Sequence, residues 1–277
     1  MPNPLIQRIP KPIRSVLRRI YYFPLDALDA LLGRRDELTP PRGLMFVGDG
    51  DFRRTGEEFL KYFIDLGRLG PGERVLDIGC GIGRMAAPLT RHLGAGGSYE
   101  GFDIVPDGID WCRLNITRKL PNFHFTLAGI QNKAYNPRGT VTASEYRFPY
   151  DDSSFDFAFA TSVFTHILPS ALERYLAETA RVLKPGGRCL ATFFLLNDDS
   201  LEKIGSGESR IDFRHEMEGF RTSDARTPES AIAYPEERIR MLLEKHSLAL
   251  NEPIRYGSWC GRKEFLSYQD LIVARKR

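Results

Sequence analysis

No apolar run in the 277 residues reaches the roughly 20 needed to span a bilayer, and no signal-peptide apolar region is present. Cysteine is scarce: Cys80, Cys112, Cys189 and Cys260 are scattered, with no C-x-x-C pair. That spacing excludes a disulfide framework or a zinc ribbon and points to reduced thiols, so a cytoplasmic protein is expected. No histidine pair or carboxylate cluster has metal-ligand spacing, and no metal is expected. Neither charge sign dominates, with 39 Lys and Arg against 36 Asp and Glu, a net +3. Such a balance gives no global reason to expect DNA as a partner. The length suits one full α/β core with additions.

The most informative stretch reads V-L-D-I-G-C-G-I-G-R at 75–84. A short apolar run, typical of a buried parallel strand, ends in Asp77. Gly79, Gly81 and Gly83 follow at alternate positions, where the lack of a Cβ permits a sharp turn and a close ligand. A helix then opens at 85–87, its first amides pointing back at that ligand. Strand, glycine loop and helix form a nucleotide-binding corner. The dinucleotide fingerprint G-x-G-x-x-G would need a glycine at 84, where this chain has Arg84. About twenty residues on, a second apolar run ends in Asp103, placed to accept both hydroxyls of a ribose, with Ile104 next to it.

The alternating glycines behind Asp77 resemble motif I of the class I S-adenosylmethionine-dependent methyltransferases. Three further stretches carry the same resemblance. They are D-I-V-P-D-G-I-D-W-C-R at 103–113, F-P-Y-D-D-S-S-F-D at 148–156 and R-V-L-K-P-G-G-R at 181–188. Together the four cover roughly 70–195. The resemblance implies a Rossmann-like doubly wound α/β fold, with a seven-stranded, mostly parallel sheet and an antiparallel C-terminal strand. It implies S-adenosylmethionine as cofactor, held by Asp77, Gly79, Cys80, Gly81, Gly83, Arg84, Asp103, Ile104 and Thr161. The family usually has an acid four residues before its Leu-Pro-Phe stretch, to bind the adenine amino group. Here that place holds Ser144, with Glu145 beside it, so Ser144, Glu145 or main-chain groups take the contact.

The periodicity predicts a helix over 51–69, with Asp51 near its N-cap, and another over 169–183. Strands are expected at 123–127, 155–160 and 189–196, and an antiparallel pair at 254–259 and 267–274. A helix is expected over 234–246. The aromatic and acidic turn at 46–52 is either a pocket wall or a capping loop, and 131–138 is an extra polar loop. Residues 197–233 are polar and glycine-dotted, an insertion after the fifth strand expected to be a substrate lid. Residues 1–50 form a separate extension to the 51–277 domain. Arg8, Lys11, Arg14, Arg18 and Arg19 occur there before any acid, beside Ile13, Val16, Leu17 and Ile20 at helical spacing. That segment is read first as a helix packed on the domain with its arginines solvated or snorkelling, and second as one that lies on an anionic membrane surface or on RNA. Residues 39–43 read as a linker.

Methyltransferases acting on exocyclic nitrogens carry [DNS]-P-P-[YFW] after the fourth strand, whereas this chain has A-T-S-V-F at 160–164. The Pro-Cys pair of cytosine C5 enzymes is also absent. A small-molecule hydroxyl acceptor is therefore expected, a sugar or natural-product scaffold first, with a lipid or quinone, RNA or protein as alternatives. His166, just past the fourth strand, and His215, in the insertion, are the two candidates for the catalytic base.

Overall fold

The computed structural model describes residues 11–45, 50–132 and 136–277, with side chains from 16 onward. Helix α1 (Lys11–Leu31) and a 3-10 turn (Arg42–Leu44) precede α2 (Phe52–Asp65). Then come β1 (Arg74–Ile78), α3 (Ala86–His92), β2 (Ser98–Asp103), α4 (Pro106–Cys112), β3 (Phe123–Leu127), β4 (Phe155–Ala160), α5 (Pro169–Val182) and β5 (Leu183–Phe193). An insertion supplies β6 (Leu195–Leu196), α6 (Asp198–Ser206), β7 (His215–Met217), β8 (Phe220–Thr222) and β9 (Ile232–Pro235). The chain closes with α7 (Glu236–Lys245), β10 (Leu248–Leu250) and β11 (Asp270–Lys276).

Seven strands form the main sheet in the order β10-β11-β5-β4-β1-β2-β3. β11 runs antiparallel to both neighbours and the other pairings are parallel. Chain order reverses between β1 and β4, and a ligand crevice opens at such a switch point beyond the strands' carboxyl ends. Val75, Leu76 and Phe157 are fully buried because helices cover both faces of the sheet. On one face Phe63 of α2 stacks on Phe159 of β4 at 4.3 Å between ring centroids. On the other, Leu172, Tyr175, Leu176 and Ala180 of α5 fill the core at helical spacing. Asp51 caps α2 by accepting the Arg54 amide at 2.7 Å, as the sequence predicts.

Two of the resembling stretches turn out to hold each other. Arg181 donates to the carbonyls of Phe148 at 3.0 Å and Tyr150 at 2.8 Å, and to Asp152 at 2.6 Å. Lys184 donates to Asp156 at 2.7 Å. These residues form a clamp on the entry to β4.

Several boundaries differ from expectation. The last strand pair is β10 with β11; 254–259 meets 267–271 through a bridge between Arg255 and Leu271 and through the Ser258 and Trp259 amides, which donate to the Ser267 and Tyr268 carbonyls at 3.1 and 3.0 Å. Trp259 lies in a third small core with Phe194 and Phe213. The turn at Gly186 is a bulge inside β5, whose register against β4 jumps from Leu183 to Arg188. The insertion is no polar loop: β6, β9, β8 and β7 form a second sheet. Nor is 39–43 a free linker, since Asp26 of α1 accepts the amides of Arg42 and Gly43 at 2.8 and 3.0 Å. Residues 46–49 and 133–135, part of two predicted loops, lie outside the described residues, as does Arg8. Among the described residues no helix is long and apolar enough to cross a membrane.

Candidate functional site

The corner begins with a backbone conformation that L side chains avoid. Gly79, Gly81 and Gly83 have φ of 82°, 56° and 79°. A Cβ on Gly79 would lie 2.4 Å from Val163 Cγ2, so the loop after β1 touches the loop after β4. A Cβ on Gly83 would meet Cys112 Sγ at 2.9 Å. The Gly79 and Cys80 amides donate to the Phe102 carbonyl at 2.9 and 3.0 Å, stitching the loop to the end of β2. The loop then turns through 81–85 before α3 starts at Ala86.

Asp103 ends β2 as expected. Its Oδ2 accepts the Gly81 amide at 2.8 Å and its Oδ1 the Val105 amide at 2.9 Å. Each oxygen keeps a second lone pair, so a fixed carboxylate can still accept two hydroxyls. Burial raises its pKa, against the lowering pull of those amides. Asp77 is fully buried beneath the glycines, accepts the Tyr99 hydroxyl at 2.6 Å, and leaves Oδ1 without a hydrogen-bond partner. Burial pushes its pKa to about 8, the Tyr99 bond opposes, and the charge of Asp103 adds to the rise. Two acids thus share one corner and repel one another. A bound cation would relieve both, and a phosphate would not. Burial also lifts the Cys80 thiol well above its ordinary range, so it stays protonated there.

Asp77, Cys80, the three glycines, Asp103 and Ile104 therefore converge. Arg84 follows the loop in sequence, but its guanidinium lies over the Phe52 ring, 5.9 Å from the centroid. Ser144 and Glu145 are exposed and bond locally: the Thr142 hydroxyl donates to Glu145 at 2.6 Å and lies 3.2 Å from that of Ser144. Ala128, after β3, donates its amide to the Asp103 carbonyl at 2.8 Å, which brings main chain beside the end of β2.

Past β4, Thr161 leads into Ser162, a non-glycine residue with φ of 57°. Its amide donates to the Thr192 hydroxyl at 2.7 Å, and its own hydroxyl to Gln269 at 2.9 Å. Strain of this kind, held by neighbours, concentrates at binding sites. The position of Ser162 past the fourth strand is the place where the sequence expects pocket-lining residues, but a serine carries no signal for left-handed backbone, and Gln269 was not expected, reaching the rim only because β11 lies beside β5.

The insertion docks on this segment. Ile232 donates its amide to the Thr165 carbonyl at 2.8 Å, and the Tyr234 hydroxyl to the Ile167 carbonyl at 2.6 Å. His166 is exposed, with Nδ1 2.9 Å from the Glu229 carbonyl. His215 sits on β7, the outer strand of the small sheet, three strands from β6. The structure thus brings His166 to the joint between rim and insertion and places His215 at the insertion's far edge.

A family model for a methyltransferase domain matches residues 76–191. The phthiotriol/phenolphthiotriol dimycocerosates methyltransferase of Mycobacterium leprae is 29% identical over 207 residues, 74% of this chain and 64% of that protein. The fatty-acid O-methyltransferase of Mycolicibacterium smegmatis is 33% identical over 121 residues, 44% of this chain but 37% of its own length. A solved S-adenosylmethionine-dependent methyltransferase from Methanosarcina mazei aligns with a TM-score of 0.51 at 25% identity, covering 77% of this chain and 96% of that one.

Proposed function

Because the chain belongs to the class I S-adenosylmethionine-dependent methyltransferases, we propose that it methylates a hydroxyl oxygen of a small acceptor, with His166 as the base. The observation that carries this reading is His166 at the rim, its Nδ1 against the Glu229 carbonyl. That bond favours the Nδ1–H tautomer and makes Nε2 the basic nitrogen. When bound, S-adenosylmethionine supplies the activated methyl carbon and a neutral thioether leaving group.

The chain's own residues do the rest. Asp103 holds the ribose hydroxyls, with its carboxylate fixed by the Gly81 and Val105 amides. Asp77 leaves Oδ1 unpartnered and has its pKa raised by burial, so the cofactor's ammonium and sulfonium charges would favour its ionised form. Gly79, Gly81 and Gly83 bring main chain against the cofactor's methionine end, beside Cys80 and Ile104. Thr161 and Ser162 shape the pocket floor, and Ala128 stands beside Ser144 and Glu145 as a candidate for the adenine edge. His166 Nε2 would accept the proton of the acceptor hydroxyl as its oxygen is methylated. Positioning lowers the barrier by roughly 7–11 kcal/mol, and a base adds about 10²–10⁴-fold. The insertion, including His215, closes the acceptor side.

A lipid hydroxyl or carboxyl is the second reading, favoured by the names of the two mycobacterial relatives. A turnover screen over sugars, phenols, fatty acids and long-chain alcohols tests both. The His166→Ala variant should lose about 10²–10⁴-fold in kcat with unchanged affinity for S-adenosylhomocysteine. Undiminished kcat would remove His166 from the mechanism.

A further inference from the structure

Helix α1 is attached to the protein by its polar side. Arg19 pairs with Asp107 of α4 at 2.6 Å, and Arg18 donates to the Arg42 carbonyl at 3.1 Å. Asp26 accepts two amides of the 42–44 turn, and Asp29 pairs with Arg42 at 2.8 Å. Between 16 and 34 the residues that are not exposed are Tyr22, Asp26 and Asp29, all on that inward side. At about 100° per residue, Phe23, Ile20, Leu31, Leu17, Leu28 and Tyr21 occupy one continuous arc of roughly 160° on the opposite side. Ile20 is 66% exposed, Phe23 70% and Leu31 83%. An ordinary surface helix turns its apolar stripe to the core; this one turns it outward.

The geometry points to an anionic lipid surface as the occupant of that arc: α1 lies in the headgroup layer of a bilayer and holds the methyltransferase domain against it. Two features select lipid over a second copy of the chain. The arc is wider than the narrow seam one neighbouring helix covers, whereas a helix sunk to its axis in a lipid layer covers all of it. The charge is also complementary. Lys11 and Arg14 precede the first acid in the sequence, Arg34 follows the helix, and both acids of α1 are turned inward, Asp26 onto the Arg42 and Gly43 amides and Asp29 onto the Arg42 guanidinium. Tyr21 and Phe23 supply the aromatic side chains that favour an interface. None of this depends on which molecule receives the methyl group.

The test uses the full chain with vesicles of phosphatidylcholine alone or mixed equally with phosphatidylglycerol, and no acceptor. Sedimentation should show binding to the anionic vesicles, weakened by raising the salt, and little to the neutral ones. An Ile20→Asp/Leu31→Asp double variant should bind at least about tenfold more weakly. Its affinity for S-adenosylhomocysteine by calorimetry should stay unchanged, because both side chains point away from the domain. The proposal is overturned if the wild type ignores anionic vesicles, or if the double variant binds them equally well. It is likewise overturned if light scattering shows a dimer that the double variant breaks and vesicles do not compete. Vesicle binding with no turnover on any hydroxyl would refute the acceptor reading alone.

Discussion

At the residue scale the glycine loop makes unequal demands. Gly79 has φ of 82° and no room before Val163, so Gly79→Ala should cost more than about 1 kcal/mol and weaken S-adenosylhomocysteine binding. Gly72 has nothing within 4 Å of an added methyl, and Gly72→Ala should stay within about 0.5 kcal/mol. Chemical denaturation of both variants checks the contrast. Asp77 offers a test by pH. Its folded-state pKa, raised to about 8, means the native chain holds a proton that the unfolded chain releases at lower pH. Its contribution to stability is full below the ordinary carboxylate range and declines as pH rises towards 8, by at most about 1.4 kcal/mol per unit. The Asp77→Asn variant should therefore lose less stability than the wild type between pH 5 and pH 8; parallel slopes would mean that Asp77 does not titrate there. Asp77, the glycines and Asp103 were legible in sequence because spacing alone puts them on one strand–loop–strand path. The left-handed backbone of Ser162 was not, since the groups that bond it, Thr192 and Gln269, are 30 and 107 residues away.

Among the elements, those read correctly have periodicity that matches burial. β3 and β4 are bounded as the apolar runs predict, and α5 ends one residue early. The failures lie where tertiary contacts override pattern. The alternating stretch at 254–259 is longer than β10, yet β10 is the strand, and Asp270 holds that stretch by its Gly257 amide and Trp259 side chain. That fully buried carboxylate accepts the amides of Leu195 at 2.7 Å and Gly257 at 2.6 Å, and Trp259 Nε1 at 2.7 Å. Burial lifts its pKa to about 6 although every one of those bonds opposes the shift. It ties the start of β11 to β6 and to the small core. Asp270→Ala strands three buried donors and should cost about 3–5 kcal/mol in denaturant unfolding, whereas Trp259→Phe strands none and should cost less. Strands of two to four residues, such as β6 to β9, are too short to show alternation, so the insertion's sheet left no trace in the sequence.

For the whole molecule, the donor corner, the rim after β4 and the insertion are separate in sequence but mechanically joined. Ligand binding at the corner should therefore stabilise the chain as a unit. S-adenosylhomocysteine at one hundred times its Kd contributes about 2.7 kcal/mol, worth roughly 5–10 °C in unfolding temperature for a chain of this size. Scanning fluorimetry should show that rise in the wild type and not in Asp103→Ala. The contact of Gly79 with Val163 has a consequence for how such an enzyme can diversify. On the proposed function, the wall between the donor's berth and the acceptor's includes the Gly79–Val163 contact, so a new side chain at 163 would disturb both occupants together. Changes of acceptor that spare the donor must come from surfaces that do not share that wall. The insertion is one such surface, where the chain could vary its acceptor while the methyl donor stays the same.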